Sequence, residues 1–498
     1  MSSQIKKVET ITIAEVVYMA YFFFMFGARA SGLYEGMLIY NITIVAGMLL
    51  FGTKVLLTKH TIFEYICIGS LGLLSMIVYY NTGEKGFLFY VTMMLGLKCV
   101  SVERVMKWAT IILGSFFSIL VLVTTSGLVQ DIYYTKDRAF FGMVMRRSLG
   151  YPYPNTLFTT YIVLMVLIMY VLGRLEKKKL IAVSLIQFAG ALYMFLYSCS
   201  NTGIIVSTVF LIINFYFQTR KTITKAEKVL VQLVYPGCIL FSVVGPMISG
   251  GKIFELLDKV LHNRWNYSRY YLTNEPITLL GQRFKPAPNT NYLIDSSFLY
   301  SFLQIGLIAF AVITILNIVM IHDYAKREKR IELAIIISFC ILGLSDPFLY
   351  NLSYKNLLFL FIGEYFYRSL DKIQKKLPDC MRYEIQWLKL GTREIGLDCL
   401  CPTKIRDVFF MVGNALALRY VYYTMLYFVS GTVIAVSYYL ITDFKMVIAT
   451  VDSVAKWEYI RAGVSLGVWG GIVTVLLSVF KENSKKIRNY KSNVKGDV

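Results

Sequence analysis

Fourteen apolar runs long enough to cross a bilayer, or nearly so, punctuate this chain of 498 residues, and they constrain its fold more than any motif. They lie near 13–28, 37–53, 61–80, 86–98, 108–127, 155–173, 180–198, 202–218, 229–248, 293–320, 331–349, 355–367, 420–441 and 461–480, with 86–98 and 355–367 the shortest. In hydrocarbon every backbone amide needs a partner in its own segment, so long uniform apolar runs must be helices. The two-residue alternation of a membrane β-barrel is absent. The chain is 57% hydrophobic and only 16% charged, whereas a soluble domain carries roughly 25% charged residues. A soluble globular domain, a disordered chain and a secreted disulfide scaffold are thereby excluded. The expectation is an all-α polytopic membrane protein with about 14 transmembrane helices.

The formal charge of +21 suggests nucleic-acid binding at first sight. In a membrane protein, however, Lys and Arg collect in cytoplasmic loops. With the N-terminus placed inside, the inside segments hold 34 of the 51 cations and the outside segments 16, with Arg419 at a helix end. Most of the charge is therefore topological, with both termini inside. Lys6 and Lys7 precede an apolar run with no small-residue cleavage site, so the first helix is expected to act as a permanent anchor. Cys380 and the Cys399-x-Cys401 pair could bind zinc but lack a clear fourth ligand, and free thiols are the expectation.

Two outside loops, 128–154 and 249–292, are longer than a hairpin turn needs. The larger interleaves Arg264, Arg269, Arg283, Lys252, Lys259 and Lys285 with Trp265, Tyr267, Tyr270, Tyr271 and Phe284. That makes a basic, aromatic surface where the topology rule requires none.

Three clusters could carry chemistry. The first is Arg146-Arg147-Ser-Leu-Gly-Tyr151-Pro-Tyr153-Pro-Asn155, directly before a helix. It reads either as an anion site at a helix N-terminus or as two arginines meeting lipid headgroups. The second, Ser198-Cys-Ser-Asn201-Thr-Gly203, reads as a polar site or as a helix–helix turn with capping side chains. The third, Asn289-Thr-Asn291-Tyr292-Leu-Ile-Asp295 through Gly306, opens a long helix. Asp295 is either a functional carboxylate at the membrane face or a first-turn residue favoured by the helix dipole. Of the three histidines, His60 and His322 fall in short inside loops and are expected to be solvated or at headgroup level; only His262 lies in the large outer loop, as a possible general base. No metal-binding, phosphate-loop or nucleophile-elbow motif is present.

In their order and topology these clusters resemble those of bacterial O-antigen and capsular polysaccharide repeat-unit polymerases of the Wzy type, which are related to the O-antigen ligases. Arg147-Ser-Leu-Gly-Tyr-Pro-Tyr-Pro-Asn155 resembles the family's R-x-x-x-G-[FY]-x-H-P-N stretch, with Tyr153 in place of His. Ser200-Asn-Thr-Gly203 resembles S-R-T-G without its Arg, and Asn291-Tyr-Leu-Ile-Asp295 through Gly306 resembles the (H/D)N-x-Y-L…G-x-x-G stretch, with Thr290 before Asn291. The resemblance covers roughly residues 1–370.

It implies a GT-C-like enzyme of the bacterial cytoplasmic membrane that uses neither metal, cofactor nor nucleotide sugar. Such an enzyme polymerises polyprenyl-diphosphate-linked oligosaccharide repeats on the outer face. Arg146, Arg147, Arg264, Arg269 and Arg283 would hold diphosphate. Asp295 or His262 would be the catalytic base. Tyr151, Tyr153, Asn155, Asn201, Asn291 and Tyr292 would bind sugar or shape the site. Partners implied are the lipid-linked oligosaccharide, membrane lipids, and a chain-length regulator and flippase of the same pathway, with no nucleic acid. The alternatives are a lipid-linked oligosaccharide flippase or other transporter, a ligase-like transferase, and an envelope scaffold. Residues 371–407 form a basic cytoplasmic segment, and 408–498 an additional hairpin and basic tail, expected to be extra scaffold.

Overall fold

A computed structural model describes residues 10–138, 142–248, 251–261, 263–289, 292–349 and 355–396, together with 457, 460, 461, 464, 465 and 467–469. Strand β1 (Thr10–Thr12) leads into α1 (Ile13–Ala30) and α2 (Leu38–Leu57); strand β2 (His60–Thr61) leads into α3 (Ile62–Thr82), α4 (Gly86–Leu95) and α5 (Val102–Thr125). The hairpin β3 (Tyr133–Arg138) and β4 (Gly142–Arg147) precedes α6 (Pro154–Leu172), α7 (Lys177–Ser198), α8 (Asn201–Thr219) and α9 (Lys225–Ile239). Two short helices, α10 (Lys252–Val260) and α11 (Arg264–Asn274), are followed by α12 (Ser297–Gln304), α13 (Leu307–Lys326), α14 (Arg330–Gly343) and α15 (Leu358–Gln374). Strands β5 (Glu384–Ile385) and β6 (Glu394–Gly396) come next.

Among the described residues nine helices are long and apolar enough to cross a membrane: α1, α2, α3, α5, α6, α7, α8, α9 with its continuation to Met247, and α13. The protein is thus a mostly helical, multi-pass membrane protein. The runs at 86–98 and 355–367 form the shorter α4 and α15. The run at 420–441 lies outside the described residues, and that at 461–480 is seen only at a few positions.

Helix starts are written in the sequence. Thr12 accepts the Glu15 amide at 3.2 Å to open α1. Thr61 and Glu64 form a reciprocal capping box on α3, and Thr224 and Glu227 another on α9. Of the nine candidate spans, α1 and α6 are the most buried, each more than half buried along its apolar window. Tyr18 on α1 donates to the Met93 carbonyl at 3.0 Å, and Tyr21 lies 2.9 Å from Thr92 Oγ1. These bonds satisfy phenol groups sealed against the wholly buried α4.

Four expectations need correction. First, three two-stranded ribbons accompany the helices. Strand β1 pairs with β6 and β2 with β5, both antiparallel, so residues 384–396 are stitched to the starts of α1 and α3. This end of the bundle is called the ribbon end below, and the opposite one the loop end. Second, the run at 293–320 is not one helix but breaks between α12 and α13. Gly306 sits there at φ +86°, and a Cβ on it would collide with the Gly281 amide of the passing loop. The helix also starts only at Ser297, so Asp295 lies before α12, outside its first turn. Third, the run at 331–349 is helical only to Gly343, then turns, with a short 3₁₀ segment at Pro347–Leu349. Fourth, His60 is not solvated: it is 1% exposed, with Nδ1 3.1 Å from Glu64 Oε2. Its burial outweighs the Glu64 bond and lowers its pKa. His322 is exposed but belongs to α13 rather than to a loop.

Both long loops are folded. The first carries the β3–β4 hairpin, in register Tyr134 to Arg146. In the second, Asp258 of α10 caps α11, its Oδ1 accepting the amides of Trp265 at 2.9 Å and Asn266 at 3.1 Å. Trp265 then packs on Phe241 and over Gly245, where a Cβ would lie 2.7 Å from the indole. The loop docks on α9 just where Pro236 has opened it into a π-helical turn, Leu240–Val244.

Candidate functional site

The loop end gathers polar groups along one face of α6. Hairpin strand β4 delivers Arg146, whose Nε donates to the Ser198 carbonyl at 2.7 Å and whose Nη2 donates to Asn155 Oδ1 at 2.6 Å. One guanidinium therefore joins the first motif cluster to the last carbonyl of α7, where the second begins. Arg147 lies within electrostatic reach of Asp131. Asp131 Oδ1 in turn accepts the Gly150 amide at 3.4 Å and the Ser148 hydroxyl at 3.3 Å. Burial pushes the Asp131 carboxyl up, and the Gly150 bond and Arg147 partly restore it. Gly150, at φ +84°, closes the turn against Leu120, which would lie 2.7 Å from any Cβ there.

One turn further along α6 than Asn155 stands Thr159, and its hydroxyl donates to Asp346 Oδ2 at 3.3 Å. Asp346 follows α14, and its carbonyl accepts from the Ser297 hydroxyl at 2.6 Å. The same Ser297 oxygen accepts the Leu349 amide at 3.0 Å, which fixes the turn carrying Asp346. Asp295, two residues before Ser297, is close enough to Asp346 to act on it electrostatically, as is Arg264. Arg264 Nε donates to Asp295 Oδ2 at 2.8 Å. A single polar seam thus runs from Arg146 through Asn155, Thr159 and Asp346 to Asp295 and Arg264. Beside it Lys355, 1% exposed, donates to Thr160 Oγ1 and sits 4.9 Å from the centre of the Tyr151 ring. Tyr151 is itself buried and donates to the Ala30 carbonyl at 2.9 Å.

The other expected residues lie off the seam. Tyr153 is exposed and stacks on Tyr134, ring centres 6.0 Å apart. Asn201 is exposed in the first turn of α8, which Ser200 caps through the Gly203 amide at 3.3 Å. The capping-turn reading of that cluster is the one observed. Arg269 lines an open cleft of about 570 Å³ with Asn263, Asn266, Tyr267, Tyr270 and Tyr292. Tyr292 packs between Tyr267 and Tyr270, at 5.1 and 4.7 Å between ring centres. Arg283 is exposed and borders Gly83, at the far end of α3. His262 and Asn291 lie outside the described residues, as do Cys399 and Cys401; Cys380 is a free, exposed thiol. Among the described residues no cluster of His, Cys, Asp and Glu could hold a metal ion.

Three groups at the site are absent from the sequence-based expectations. Asp346 and Lys355 sat inside or at the edge of runs read as spans. An ionisable residue in such a run is itself a functional signal, and Asp346 is followed by a proline, which marks a break in the run. Arg461 comes from the region read as extra scaffold. Its guanidinium is buried and donates to the carbonyls of Leu196 at 2.6 Å, Tyr197 at 3.1 Å and Met145. Trp457 Nε1 adds a bond to the Leu196 carbonyl at 2.9 Å. Arg146 and Arg461 together hold the last three carbonyls of α7, where the helix dipole favours cations. No signal short of the fold pairs these two arginines.

No protein-family model, curated protein or solved structure matches this chain.

Proposed function

We propose that this protein is a membrane glycosyltransferase that polymerises polyprenyl-diphosphate-linked oligosaccharide repeats, with its loop end on the outer face of a bacterial cytoplasmic membrane and a GT-C-like arrangement of helices. The observation that carries the reading is the seam itself. Residues of the first and third clusters, and the helix end that begins the second, meet along α6, as a single donor–acceptor site would require.

In this reading the acceptor sugar hydroxyl attacks the anomeric carbon of the donor glycan. The bond from that carbon to the diphosphate oxygen breaks, and polyprenyl diphosphate leaves. The acceptor proton passes to a carboxylate. Asp346 suits that role better than Asp295, because Asp295 is tied to Arg264 whereas Asp346 is held by a neutral hydroxyl. Arg146, Arg147, Arg264 and Lys355 supply the positive field in which charge on the leaving diphosphate is stabilised. The tyrosine-lined cleft of Arg269 offers ring faces to the sugars of the growing chain. The test is reconstitution: the purified protein in liposomes, given a defined lipid-linked repeat, should produce a ladder of lengths. A product confined to a different acceptor would make it a ligase. Translocation of the repeat without new glycosidic bonds would make it a flippase.

A further inference from the structure

A second cleft, of about 530 Å³, opens at the ribbon end between α9, α13 and α15. Its walls change character along their length. On α13 the residues Ile308, Ile315, Ile318, His322 and Lys326 follow one another at helical spacing on a single face. The three isoleucines are exposed at 42%, 60% and 36%, and the last two residues are exposed and polar. On α15 the residues Tyr365, Ser369, Lys372 and Ile373 likewise share a face turned to the cleft. The cleft itself runs from Ile318 to a cationic rim, and the exposed Ile315 and Ile308 continue the face of Ile318 beyond it toward the middle of the bundle.

The rim carries a surplus of positive charge. Its one carboxylate, Asp323, is already held by Arg327 Nε at 2.8 Å and by Arg368. The neighbouring Glu364 accepts from Tyr324 Oη at 2.7 Å and pairs with Arg327 at 3.3 Å. Lys326 and Lys372 form no ion pair with a described residue and both line the cleft. A soluble anion would use the lysines and leave the isoleucine track idle. A neutral lipid would use the track and leave the lysines idle. Only an anionic amphiphile uses both.

We propose that this cleft binds an anionic phospholipid of the leaflet at the ribbon end, its phosphate between Lys326 and Lys372 and an acyl chain along Ile318 and Ile315. The proposal rests on the membrane reading alone and is independent of glycosyl transfer. Each lysine beside an anionic headgroup changes affinity roughly fivefold, so removing both should weaken binding roughly 25-fold.

The experiment is native mass spectrometry of the full-length protein in detergent, titrated with phosphatidylglycerol, with phosphatidylcholine, and with inorganic phosphate as competitor. Phosphatidylglycerol should be retained in preference, and phosphate should not displace it. The preference should disappear in the Lys326→Ala/Lys372→Ala variant and survive in a Lys177→Ala/Lys178→Ala control at the same end of the bundle. Ile318→Trp, which fills the track without changing charge, should weaken retention as well. Equal retention of the two lipids, or equal loss in the control pair, overturns the proposal and leaves the lysines as topology signals. Displacement by phosphate together with an unaltered Ile318→Trp variant overturns it in favour of a soluble anion.

Discussion

The two ends of the helix bundle use charge in different ways. At the ribbon end, the carboxylates are met by cations. Glu15 pairs with Arg104 at 3.2 Å; Glu64 takes Lys98, His60 and Gln374; Asp323 takes Arg327 and Arg368. At the loop end, beside the Arg264–Asp295 ion pair, several central charges rest on neutral groups: three carbonyl groups of α7 and an amide for Arg146 and Arg461, a hydroxyl and a ring for Lys355, a hydroxyl for Asp346. A neutral partner positions a charge without cancelling its field. The ribbon end fastens its carboxylates to cations, and the loop end sets several of its central charges on neutral groups, where a charged ligand can meet them.

The largest effect expected from this contrast is on Asp346→Asn. The amide can still accept from Thr159 but cannot take a proton from an acceptor hydroxyl. Loss of a general base costs about 10²–10⁴-fold in rate. The reconstituted ladder should collapse to single repeats, with an unaltered melting temperature in detergent. If Asp346→Asn polymerises normally while Asp295→Asn does not, the base is Asp295 and Arg264 must release it during the cycle.

Glu64→Gln should do the reverse. Glu64 is 1% exposed and is the shared acceptor for Lys98, His60, the Thr61 amide and Gln374. Removing one partner of a buried ion pair destabilises by about 3–5 kcal/mol, because the other charge is left uncompensated. The variant should melt early yet retain its activity per folded molecule. A variant that melts normally but polymerises poorly would erase the distinction between the two ends.

The sequence made the framework easy to read and the site hard. Long apolar runs and the sidedness of Lys and Arg are local signals: α1 and α3 begin within a residue of the runs at 13–28 and 61–80, whereas α5 and α9 begin several residues before the runs at 108–127 and 229–248. Arg146, Asn155, Asp295 and Arg264 were also legible as candidates, but not their arrangement. The break at Gly306 depends on a loop residue, Gly281, whose approach no window of sequence contains. Asp346 and Lys355 were hidden by their neighbours, since hydropathy averaged over a span submerges a single charge. Arg461 was hidden by distance: its partner carbonyls lie more than 250 residues earlier.

The smallest effect expected is a pH dependence of opposite sign at the two ends. Burial lowers the His60 pKa in the folded protein, so protonation favours the unfolded chain. Its contribution is intact above the unfolded value of about 6.5 and is lost as pH falls below it. Asp131 behaves the other way. Burial raises its pKa, so the folded protein binds the proton more tightly than the unfolded chain does. Its contribution is intact below about 3.9 and is lost as pH rises through the raised value. Melting curves in detergent at stepped pH should therefore show a decline between pH 7 and 5.5 that His60→Asn flattens and Asp131→Asn leaves in place. If His60→Asn left that decline unchanged, the acid sensitivity would have to come from outside the Glu64 cluster. The fastening at the ribbon end would then rest on its lysine and glutamine bonds alone, with the imidazole serving only to fill space between Tyr65 and Tyr367, whose ring centres lie 5.2 and 6.4 Å from its own.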